Sequence, residues 1–130
     1  MIAVIFSSGE LTRLYTGLSL LVSAAAEGEA ARGLATFDAL APLLDDGLAV
    51  RALRPDATPA LSEPGRETFA RSLAELREAA AELPDCRIWA CAAAADTTGV
   101  ARAAIEERLD GVLSTPRFLR EVGDARLVLV

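Results

Sequence analysis

"IAVIFSSGELTRLYTGLSLLVSAAAEG", residues 2 to 28, changes its hydrophobic rhythm once, and that change decides the fold class. Residues 2–6 form an unbroken, largely β-branched apolar run, as a strand buried on both faces would. "SSGE" (7–10) interrupts it, with Ser7 and Glu10 at the spacing of a capping box. Beyond the turn, Leu11, Leu14, Tyr15, Leu18, Leu21, Val22 and Ala25 recur on one helical face, and Gly28 ends the run. The unit reads strand, turn, helix.

The same alternation continues to the C-terminus. "EAARGLATF" (29–37) predicts a second strand, and Asp38 is placed to cap a short helix, "ALAPLLDDG", with Pro42 in its first turn. Residues 48–65 hold three prolines and read as a brief extended piece followed by a loop. "RETFARSLAELREAAAELP" predicts an amphipathic helix with Phe69, Leu73, Leu76, Ala80 and Leu83 inward and Arg71 with Glu75 as a solvated pair. "CRIWACA" (86–92) is a third strand, after which Asp96 or Thr97 caps a helix through Leu109. "GVL" (111–113) is a fourth strand, and a helix follows with Thr115 as N-cap, Pro116 at its first position and Gly123 at its close. "ARLVLV" is the last strand. Strands near 2–6, 30–36, 86–91, 111–113 and 126–130, each separated by a helix, predict a three-layer α/β/α fold around a five-stranded parallel sheet. Parallel neighbours need crossovers, and the crossovers supply the outer layers.

Composition narrows the function. A chain of 130 residues suits one domain over 1–130, and 52% hydrophobic residues suffice for its core. Only 5% are aromatic, too few for base-stacking platforms, and a net charge of −6 opposes a phosphate-tracking surface, so no nucleic-acid partner is expected. All thirteen basic residues are arginine. Without histidine or lysine the chain lacks the usual general base, the commonest zinc ligand and any Schiff-base amine. Two separated cysteines make no metal site, and no GxGxxG is present, so neither metal nor cofactor is expected. "MIAVIFSSGE" has no basic signal-peptide start, and "LSLLVSAAAEG" is too short to span a membrane; a cytoplasmic protein with free thiols and no membrane partner is the simplest expectation.

In parallel sheets ligands sit beyond the carboxyl ends of the strands. That rule selects Ser7, Ser8 and Gly9 after the first strand, Thr36 and Phe37 after the second, Cys91 to Asp96 after the third, and Ser114 and Thr115 after the fourth. Cys91 is open to two readings: a small buried hydrophobe, or a thiol whose pKa the following helix lowers. Cys86, at the opposite edge, is structural. "SSGE" reads first as a cap and tight turn and second as an anion cradle, though Glu10 and the missing lysine set it apart from a P-loop. "DTTG" (96–99) reads first as a helix start, then as a substrate-contacting loop, through Asp96 and Thr97.

Taken in order, these features resemble the DsrE/DsrF-like family. The first strand ends in a Ser-Gly turn followed by an acid, Leu14-Tyr15 sits on the first helix, and Thr36-Phe37 closes the second strand. Ala90-Cys91 ends the third strand, and "LDGVLSTPRFLREVGDARLVLV" is similar to the family's ending. The likeness runs along nearly the whole chain apart from the proline-rich stretch near 54–65; "AAAAD" (92–96) stands where many relatives have methionine and serine. It implies a DsrEFH-like fold (flavodoxin/Rossmann-like in architecture) and a small sulfur carrier that accepts sulfane sulfur as a persulfide on Cys91. It further implies a homo-oligomer, trimer or hexamer, working with sulfur donor and acceptor proteins. The substrate-contacting residues would be Ser7, Ser8, Gly9, Thr36, Phe37, Asp96, Thr97 and Ser114. The alternative is a non-catalytic oligomeric binding or assembly module with a structural cysteine. A nucleotide- or flavin-binding domain is a third reading, resting on architecture alone.

Overall fold

β1 (Ile2–Phe6), β2 (Ala31–Ala35), β3 (Cys86–Cys91), β4 (Val112–Leu113) and β5 (Arg126–Leu129) form one sheet in the computed structural model, which describes residues 1–130. All neighbours are parallel, in the order β4–β3–β2–β1–β5. The helices are α1 (Leu11–Ala26), α2 (Leu40–Leu44), α3 (Leu48–Ala52), α4 (Glu63–Glu82), α5 (Ala92–Thr98), α6 (Arg102–Arg108) and α7 (Thr115–Val122). None is long and apolar enough to cross a membrane.

The strand order dictates the layers. From β1 to β4 the chain steps across the sheet in one direction, so right-handed crossovers put the intervening helices on one face. The return from β4 to β5 runs the other way and puts α7 on the opposite face. Side-chain packing agrees: Phe6, Gly33 and Ile88 share a register row parity and meet Leu21 of α1, while Trp89, of opposite parity, packs edge-on against Phe118 of α7 at 6.3 Å. One layer is therefore thick and the other a single helix of eight residues. A cluster of 31 buried residues fills the interior.

Several local expectations differ from the structure, each for a physical reason. The Ser7–Glu10 capping box does not form. Pairing of β5 with β1 brings the Val130 carbonyl within reach of the Ser7 hydroxyl, which donates to it at 2.9 Å, and Glu10 itself becomes the N-cap. Residues 48–52 are helical, not extended. The Asp45 carboxylate accepts from the Gly47 amide at 2.8 Å and from Arg51 Nε at 2.8 Å, turning the chain into α3, whose Leu48 and Ala52 are buried four residues apart. Asp38 caps nothing; it sits inside a 3-10 turn, Phe37–Ala39, that leads into α2. α4 starts at Glu63, where the Ser62 hydroxyl accepts from the Gly65 amide and Pro64 is tolerated in the first turn. Arg71 and Glu75 form no ion pair. The single helix expected from Asp96 to Leu109 is two: alanine, the best helix former, carries α5 from Ala92, and Gly99 in the left-handed region (φ 71°) stops it. Ser114, not Thr115, caps α7.

Candidate functional site

The carboxyl edge of the sheet holds every residue singled out there by sequence except Asp96 and Thr97, which lie in the last turn of α5 and are exposed. Most of its hydroxyls are already committed. Ser7 donates to Val130; Thr36 donates to the Phe6 carbonyl at 2.8 Å. Ser8 accepts from the Glu10 amide at 3.1 Å, and Ser114 from the Arg117 amide at 3.3 Å. Thr97 bonds back to the Ala93 carbonyl at 2.8 Å. These hydrogen bonds tie strands and helix ends together at the carboxyl edge.

Gly9 is there for space. A Cβ on it would stand 2.6 Å from the Asp38 carbonyl oxygen, so the β1–α1 turn and the segment after β2 pass backbone against backbone. On that second segment Phe37 is 51% exposed with φ 34°, an uncommon conformation for an aromatic residue that costs about 1–3 kcal/mol. The 3-10 turn carrying it packs against α5.

Cys91 is the last residue of β3 and the N-cap of α5, 5% exposed. Its sulfur lies 3.9 Å from the Thr115 hydroxyl, at the start of α7. The two neighbours diverge from here. α5 and α6 pass to the layer of α2 and α1, and α7 passes to the other face. Adjacent connections leaving a parallel sheet on opposite sides open the crevice in which such folds bind ligands. Thr115 is the residue that sequence reasoning placed at the rim but assigned to a cap; its position just past β4 was the only available signal.

The second thiol is different. Cys86, at the amino edge of β3, is pushed up to about 11 by burial, with the Asp110 carboxylate adding to the shift and Arg32 opposing it. It is a protonated thiol at neutral pH. Both cysteines are free.

The cavities lie elsewhere. One of about 360 Å³ sits between Glu10–Thr12 and Asp56–Ala60, beside the "SSGE" turn. Its two carboxylates each hold an arginine, Glu10 with Arg13 at 3.3 Å and Asp56 with Arg54 at 3.0 Å. Another, of about 430 Å³, is a groove between α3 and α4. No three His, Cys, Asp or Glu side chains converge as a metal ion would need. No family model matches the chain, and no curated protein matches its sequence.

Proposed function

We propose that this chain is a small DsrE-like sulfur carrier that takes sulfane sulfur on Cys91 as a persulfide. The observation that carries the reading is the place of Cys91, at the carboxyl edge of the sheet where the connections after β3 and β4 part, beside the Thr115 hydroxyl. The chemistry asks for no cofactor and no separate base. The Cys91 thiolate attacks the outer sulfur of a donor persulfide, a Cys91 sulfur–sulfur bond forms, the donor's sulfur–sulfur bond breaks, and the donor leaves as a thiolate. An acceptor thiolate then repeats the exchange and restores Cys91. Thr115 is placed to donate to the developing charge. Donor and acceptor are proteins in this reading, the chain is a homo-oligomer, trimer or hexamer, and its compartment is the cytoplasm.

Burial of Cys91 favours a second reading, a non-catalytic assembly or binding module. At 5% exposed it is as enclosed as Cys86 at 4%, and a carrier thiol must be reached. Transfer therefore requires the Cys91 sulfur to become exposed. Intact mass after treatment with polysulfide separates the two. The carrier gains one sulfur that dithiothreitol removes; Cys86→Ser still gains it and Cys91→Ser does not. Equal labelling of both variants, or none of the folded wild type, leaves the assembly reading.

A further inference from the structure

We draw no further inference here: the strongest candidate, the groove of about 430 Å³ between α3 and α4, floored by Ala49, Leu53, Ala70 and Ala74 and rimmed by Glu67, Glu75 and Glu78, carries nothing, because nothing in the structure shows what covers it.

Discussion

Gly9 and Cys86 show what a single position can fix in this fold. At Gly9 a methyl group would overlap the Asp38 carbonyl at 2.6 Å, and backbone, unlike a side-chain tip, cannot swing away. Gly9→Ala should therefore cost about 1–3 kcal/mol, as overpacking does, read as a lower midpoint in urea with an unchanged slope. A midpoint equal to that of the wild type would mean the two turns separate freely. Cys86, with its thiol pushed up to about 11, should resist iodoacetamide at about pH 8 in the folded chain and react once guanidinium unfolds it. Comparable alkylation in both states would show that the amino edge of β3 opens. The rim hydroxyls mark the limit of sequence at this scale. Their types and places were legible, but Ser7 spends its hydroxyl on Val130, 123 residues away, a partner that exists only after β5 docks on β1.

Elements with strong periodicity were legible as well: all five strands, α1 and α4 fall where the apolar spacing put them. The short pieces were not. α3 and α5 are helices of five and seven residues, too short for periodicity to speak. They are held instead by an Asp45–Arg51 bracket and by a run of alanines. Between α3 and α4 the chain turns irregularly, and Arg66 straps that turn down. It is buried without a carboxylate partner; its Nε donates to the Thr58 hydroxyl at 2.8 Å, and its Nη2 donates to the Thr58 and Leu61 carbonyls at 3.1 and 3.0 Å. The sequence places Arg66 at the start of an amphipathic helix and leaves its role unread, because a guanidinium satisfied by carbonyls leaves no charge pattern. Arg66→Leu keeps the apolar stem and strands both carbonyls, so it should destabilise by about 1–3 kcal/mol. Hydrogen exchange should quicken across residues 53–62 and leave α1 protected. Unchanged exchange in 53–62 would show that the turn holds itself.

For the whole molecule, the layer count and the parallel sheet followed from the alternation of strand and helix. Strand order did not, since nothing in the sequence says that β5 crosses back to the far side of β1. That crossing lets Glu29, before β2, bind Arg126 of β5 at 2.6 Å and the N-terminal amine at 3.3 Å, closing the amino edge of the sheet. The Arg126 hydrogen bond first, then that of the amine, holds the Glu29 carboxyl below its ordinary value; Arg51, then the Gly47 amide, does the same for Asp45. Depressed carboxyls contribute stability that is present above their unfolded pKa and lost as pH falls through the folded one. Cys86 works in the other direction. Its thiol keeps its proton longer in the folded chain, so its contribution is full below the ordinary thiol value of 9.0 and is lost as pH rises towards about 11. Between these limbs the chain has no histidine to titrate. Its melting temperature should therefore run flat from about pH 5.5 to about 7.5, fall in acid, and fall again in alkali. Cys86→Ala should lower the plateau by a small cavity yet flatten the alkaline limb, leaving the acid limb in place. A step in the melting temperature near pH 6.5, or an alkaline limb of the same slope in Cys86→Ala, would place the governing proton on a group other than these.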